Sequence, residues 1–128
     1  YASRSVKDSN TDAKKLWNAL ICRHENIKMV FSGHMGCCDI VWRADRGIYG
    51  NTVYTFCIDG EKMDSDFGGV GSVALFSFTA GGNNVGINYY SVSRNQLIGE
   101  KNQFSITLDS PIKFVSCQNG SNKDVEGC

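Results

Sequence analysis

The chain has 128 residues, a length that suits one domain of ordinary size. Its 13 basic and 13 acidic residues give zero formal net charge, and no basic stretch stands out, which argues against electrostatic capture of nucleic acid or of an anionic membrane. The 41% of hydrophobic residues is typical of a globular protein, and no apolar run approaches the roughly 20 residues that span a bilayer.

The first predicted element is a helix that begins at Thr11 or Asp12, either of which can cap it. Its apolar residues recur at helical spacing and define one stripe: Ala13, Leu16, Trp17, Leu20 and Ile21. We expect the helix to end near residues 24–26. Residues 27–31 then predict a short, largely buried strand that ends abruptly at Gly33. A helix, a short turn and a buried strand are typical of an α/β layer.

The remaining chain predicts a mainly antiparallel β-sheet. Strand patterns cover residues 52–58, 72–78, 85–91 and 104–108, with a hairpin loop at residues 81–84. The fold class that follows is α+β, derived from α/β, with one N-terminal helix ahead of four or five strands. This amounts to half of a larger sandwich of sheets. Residues 109–128 form a polar tail bounded by cysteines.

Six cysteines are many for a chain of this length. They are Cys22, Cys37, Cys38, Cys57, Cys117 and Cys128. No Cys-x-x-Cys pair is present and the two histidines lack zinc-finger spacing, so disulfide bonds in an oxidising compartment are favoured over a metal cluster. The pairing stays open, although Cys117 and Cys128 could close a local loop. The sequon at Asn119 fits a secreted glycoprotein.

His34 is the candidate for chemistry, because it directly follows a glycine at the C-terminal end of a predicted strand. Proteins of the α/β class hold ligands at such strand ends, and a neutral imidazole binds zinc, iron or manganese. The alternative is a structural histidine whose ring is hydrogen-bonded within the chain. The other histidine, His24, is interpreted as a solvent-facing residue near the helix C-terminus.

The stretch Asn26-Ile27-Lys28-Met29-Val30-Phe31-Ser32-Gly33-His34, preceded by Leu16-Trp17, resembles the last metal-binding segment of calcineurin-like metallophosphoesterases. Residues 46–54, which contain Gly50-Asn51-Thr52-Val53, resemble the strand that follows in that family. Residues 71–78 and 85–91 are similar to its closing hairpin, and residues 103–106 to its final strand. The resemblance covers roughly residues 11–108.

The resemblance implies that residues 1–108 are a partial metallophosphoesterase-like domain, the C-terminal half of its β-sandwich, stabilised by disulfides. His34 would then bind one ion of a divalent metal pair (zinc, manganese or iron). The family often has a second histidine two residues later, where this chain has Gly36, and its Asp-x-His, Gly-Asp-x-x-Asp and Gly-Asn-His motifs do not occur here. We therefore expect no metal pair bound by this chain alone.

The expected function is the C-terminal portion of a secreted phosphoesterase, a hydrolase of phosphate esters that is active only with a missing N-terminal half or a companion chain. The alternative is a catalytically inactive extracellular module, structural or binding, that is derived from the same fold and can self-assemble. Neither interpretation involves nucleic acid or a membrane span.

Overall fold

The computed structural model describes residues 10–34, 39–60 and 71–113. In these ranges one helix, α1 (Asn10–Ala19), precedes the strands: β1 (Met29–Ser32), β2 (Val41–Arg46), β3 (Thr52–Cys57), β4 (Ser72–Phe78), β5 (Asn84–Ser91), β6 (Gln96–Leu97) and β7 (Phe104–Thr107). Short 3₁₀ turns lie at Ile21–Arg23 and Glu100–Asn102. One helix with mainly antiparallel sheets confirms the α+β class. No helix of the described residues is long and apolar enough to cross a membrane.

The first sheet has the strand order β1-β3-β2. β2 and β3 form an antiparallel hairpin, and its turn is closed by the amide of Gly47, which donates to the carbonyl of Asn51 at 2.8 Å. Gly50 has φ of 79° in this turn, a conformation that glycine adopts without steric cost. β1 runs parallel to β3, with Met29 opposite Tyr54. The sheet is therefore mixed, and among the described strands β1 and β2 are its edges.

The second sheet is antiparallel and is built around β5. β4 pairs with β5 along its whole length, from Ser72 opposite Ser91 to Phe78 opposite Val85. The other edge of β5 is shared by β6 at one end and β7 at the other. This arrangement confirms the predicted hairpin of two strands and the predicted last strand.

The two sheets pack face to face around one apolar core. Phe56 of the first sheet is fully buried against Val85, Ile87 and Tyr89 of the second. Because strand side chains alternate between faces, these residues at every second position all point to the space between the sheets. Ile40, Ile106 and Leu108 complete the buried cluster.

Aromatic rings bridge the sheets at both sides of the sandwich. On one side Phe76 of β4 lies edge-on to Phe56 and to Phe31, with ring centroids 5.2 and 5.0 Å apart. On the other side Trp42 of β2 stacks on Phe104 of β7 at 5.5 Å. Such pairs contribute about 0.5–1.5 kcal/mol beyond their buried area.

Two expectations about the first 34 residues were wrong in part. The helix ends at Ala19 and continues only as the 3₁₀ turn to Arg23, so it stops short of residues 24–26. The strand predicted to be largely buried is β1, whose residues are only half-buried or exposed, with Phe31 53% exposed. The reason is its edge position, because β1 has β3 as its single neighbour among the described strands.

Candidate functional site

His34 lies two residues beyond the end of β1, as the sequence predicts, and its side chain is exposed. Gly33 is needed at the strand end, because a Cβ there would lie 3.0 Å from the carbonyl oxygen of Ile58. His34 itself has φ of 63°, in the left-handed region that residues other than glycine seldom adopt. Strained backbone of this kind concentrates at functional sites. The imidazole therefore stands at the carboxyl end of a parallel strand and is open to solvent.

The same edge of the sheet carries Asp59, a residue that sequence reasoning missed. β3 is parallel to β1, so the ends of both strands meet at one edge, where the amide of Ile58 donates to the carbonyl of Ser32 at 2.8 Å. Asp59 follows directly and is buried. An acidic residue immediately after a parallel strand was the available signal. It was overlooked because Asp59-Gly60 also fits a turn.

His34 and Asp59 offer an imidazole and a carboxylate, two ligand types that divalent metals accept. Within residues 10–34, 39–60 and 71–113, however, no three histidine, cysteine, aspartate or glutamate side chains are grouped so that they could hold a metal ion. The other histidine, His24, is exposed after the 3₁₀ turn, which confirms its solvent-facing interpretation.

A second polar cluster, centred on Asp109, lies at the opposite end of β3. The carboxylate of Asp109 accepts hydrogen bonds from the amide and the hydroxyl of Thr52, the latter at 2.9 Å. These two bonds, helped by the charges of Arg46 and Lys28, hold the pKa of Asp109 below its ordinary value. The hydrogen bonds between Asp109, which follows β7, and Thr52, which begins β3, link the two sheets. They lie at the end of β3 opposite to His34.

The cysteines give no disulfide among the described residues. Cys22 is buried in the 3₁₀ turn, with its sulfur 3.8 Å from the carbonyl oxygen of Asn18. Cys57 is half-buried at the end of β3. Cys37, Cys38, Cys117 and Cys128 lie outside the described residues, as does the sequon at Asn119. Their bonding and glycosylation stay predictions.

Comparison of the chain with protein-family models, with curated proteins and with solved structures finds no match.

Proposed function

We propose that this chain is the C-terminal portion of a secreted metal-dependent phosphoesterase, and that His34 binds one ion of its metal pair. The zinc, manganese or iron ions would activate water and neutralise charge on a phosphate ester. The remaining ligands would come from an N-terminal half of the domain or from a companion chain. Disulfides and a glycan at Asn119 belong to the same proposal, since both fit an extracellular protein.

The observation that carries this proposal is the setting of His34. An exposed imidazole with φ of 63° follows a glycine at the carboxyl end of a strand that is parallel to its neighbour. Ligand sites of open sheets containing parallel strands form at such ends. A purely structural histidine would be expected to have its ring enclosed and bonded.

β1 lies at the edge of its sheet, and this position supports the proposal that additional polypeptide completes the domain. Parallel strands with continuous apolar sequence are normally covered on both faces and paired on both sides. Met29, Val30 and Phe31 form such a run, yet Phe31 is 53% exposed. A strand added parallel to β1 would end beside His34 and could deliver further ligands there.

The second candidate is a catalytically inactive extracellular binding or structural module of the same ancestry. The exposed ring of Phe31, which packs against Phe76 at the edge of the sandwich, favours it, because exposed apolar residues that lie together mark interaction surfaces.

The deciding experiment measures the intact mass, metal content and activity of the mature source protein. We expect a polypeptide longer than this chain, or a companion chain, with bound metal and metal-dependent hydrolysis of an aryl phosphate. The 128-residue chain alone should show no turnover with added manganese or zinc. In the whole protein His34→Ala should lose metal, whereas His24→Ala, the matched control at an exposed histidine, should keep it.

Stability separates the two roles of His34. Replacement by alanine keeps the same left-handed backbone and removes an exposed ring, so it should change the unfolding free energy by less than about 0.5 kcal/mol. If the mature protein is this chain alone and binds no metal, the module is the correct function. If His34→Ala keeps full metal content and activity in a longer protein, His34 is not a ligand.

A further inference from the structure

In the part of the chain that the structure describes, one side of the sandwich has an edge strand of each sheet without a pairing strand. These are β1 of the first sheet and β4 of the second, which meet through Phe31 and Phe76. The rings of Phe31 in β1 and Phe76 in β4 are in contact, with their centroids 5.0 Å apart. Met29 and Phe78 line one groove of about 750 Å³. We call this side, consisting of β1, β4 and the rings between them, the open side.

The backbone of β1 has hydrogen-bonding groups that point out of the open side. The carbonyls of Lys28 and Ser32 accept from the amides of Tyr54 and Ile58 in β3, at 2.9 and 2.8 Å. Because the groups of successive residues in a strand point alternately to its two sides, those of Met29 and Phe31 point away from β3.

The same holds for β4. The amide of Val92 donates to the carbonyl of Gly71 at 3.1 Å, which makes the directly opposite residues Gly71 and Val92 a hydrogen-bonded pair. Alternation then turns the backbone groups of Ser72, Ala74, Phe76 and Phe78 away from β5. In the described part of the chain no strand pairs with these outward groups of β1 or β4.

Exposed apolar side chains accompany the unpaired edges. Phe31 is 53% exposed and Phe78 is 43% exposed. Uncovered edges with apolar side chains are templates for pairing with another chain, and proteins usually protect them with charges, proline or a bulge. β1 and β4 have none of these between Met29 and Ser32 or between Ser72 and Phe78.

The directions of the two strands make the open side complementary to itself. Met29 lies near Phe78, and Phe31 lies near Phe76, so β1 and β4 run in opposite directions along it. Two copies related by a two-fold axis in the plane of the open side would pair their strand edges antiparallel. This holds both for an axis parallel to the strands and for an axis perpendicular to them. Closed two-fold pairing of this kind is the commonest form of self-association.

The charged residues at one end of the open side favour one of these two axes. Lys28 and Lys113 line the groove at one end of the open side, and none of the described residues that line it is acidic. An axis along the strands would bring the lysines of both copies together, at a cost in like-charge repulsion. An axis perpendicular to the strands instead places the lysine-bearing end of one copy against the opposite end of its partner.

We propose that the open side is a self-association surface, on which two copies of the chain join β1 to β1 and β4 to β4 in antiparallel pairs. This goes beyond the proposed function and does not depend on it. A longer source protein that stays monomeric where this chain dimerises would assign the open side to added strands instead, and would overturn the proposal.

The surface is small, so the dimer should be weak. β4 has seven residues and extends about 23 Å, and the sheets lie about 10 Å apart, which limits the contact to a few hundred Å² per copy. That is below the roughly 800 Å² per partner of a stable complex. We therefore expect a weak monomer–dimer equilibrium that depends on protein concentration.

The test is sedimentation equilibrium of the chain between about 5 and 200 µM, a range suited to a weak interface. Two alanines on edge strands provide a matched pair of variants. Ala74→Pro removes an outward amide of β4 on the open side. Ala44→Pro removes an outward-pointing amide of β2, on the opposite side of the sandwich. The Ala44 amide points outward because Gly47 and Asn51 form a hydrogen-bonded pair and successive residues alternate.

We expect Ala74→Pro to raise the dissociation constant at least tenfold and Ala44→Pro to leave it unchanged. Circular dichroism and thermal melting show whether each variant is folded. If Ala74→Pro does not fold, Phe78→Lys replaces it, with Val41→Lys on β2 as its control, since both side chains are exposed. A wild-type chain that is monomeric throughout, or equal weakening by variants on both sides, would overturn the proposal.

Discussion

At the scale of single residues, Asp109 joins the two sheets at the end remote from His34. It follows the last strand, and its carboxylate holds the amide and hydroxyl of Thr52, where β3 begins. The guanidinium of Arg46 lies 3.7 Å away. The folded state therefore prefers the charged form of Asp109, which is the reason that its pKa is lowered.

Asp109→Asn should destabilise the chain by about 1 kcal/mol at pH 7, because it removes the charge from both hydrogen bonds. The folded pKa lies below the unfolded value of about 3.9, so this stabilisation is present above about pH 4 and is lost as the pH falls through the folded pKa. Urea unfolding at pH 7 and near pH 2.5 measures the difference.

The matched control is Asp12→Asn. Asp12 is an exposed aspartate of α1, with its carboxylate 3.5 Å from the Lys15 ammonium, and such pairs contribute little. It should change stability by less than about 0.5 kcal/mol at either pH. An Asp109→Asn effect of the same size at both pH values would contradict the role assigned to the carboxylate.

The candidate site could be predicted from sequence only in part. His34 was proposed from sequence because a glycine and a histidine directly follow an apolar strand pattern, which is information local to the chain. Asp59 was not proposed from sequence, because its position at the same sheet edge as Gly33 depends on the pairing of β1 with β3. The paired residues are 25 positions apart in the sequence, and no local pattern marks the pairing because β2 lies between the two strands.

At the scale of elements, strands with an alternating or continuous apolar pattern were predicted and β2 was not. β4 and β5 match their predicted ranges closely, because both have an apolar face and a glycine-rich loop between them. In β2 one face carries Arg43 and Asp45, whose side chains form an ion pair at 2.7 Å. Its other face has Trp42 as the single large apolar side chain, so an edge strand of this composition gives a weak signal.

The helix shows a related limit of the sequence pattern. Two members of the predicted apolar stripe, Leu20 and Ile21, lie beyond the end of the helix. Leu16 and Leu20 are 49% and 45% exposed, whereas Ile21 in the 3₁₀ turn is 8% exposed. The turn is held against the β2–β3 hairpin, where the amide of Ile48 donates to the carbonyl of Cys22 at 2.9 Å. Periodicity predicts which side of a helix is apolar, but not whether that side is covered.

We expect Ile21→Ala to cost about 2–3 kcal/mol, because it leaves a cavity beside the hairpin. Leu16→Ala should cost less than about 0.5 kcal/mol, since half of the side chain is already in water and alanine favours the helix. Urea unfolding of both variants provides the measurement. Equal losses would mean that the stripe of α1 is packed in solution.

At the scale of the whole molecule, side chains at the centre of the sandwich are fully buried, whereas many at its sides and outer faces are exposed. The side chains between the sheets reach full burial, but apolar residues are exposed on the open side and on the outer face of the second sheet, where Val73 and Leu75 alternate with the inward residues of β4. An antiparallel sheet can expose one face to water, but that face is then normally polar. Among the described residues, apolar side chains at these boundaries are thus left in contact with water.

The stability of such an incompletely covered sandwich should depend on its cysteines. Each disulfide would contribute about 2–4 kcal/mol, and small extracellular domains often need that contribution. No disulfide joins the described residues to one another, so every bridge must include at least one of four cysteines: Cys37, Cys38, Cys117 and Cys128.

We expect thiol titration of the secreted protein, denatured without reductant, to find at most two thiols among the six cysteines. If Cys22 is one of them, it should react only after unfolding, because it is buried in the 3₁₀ turn. Reduction should then lower the melting temperature by many degrees, since losing one bridge alone costs several kcal/mol and each kcal/mol shifts a domain of this size by about 4 °C. Four or more thiols in the unreduced protein, or a melting temperature that reduction leaves unchanged, would show that the sandwich is held by its core alone and would remove the main argument for an extracellular location.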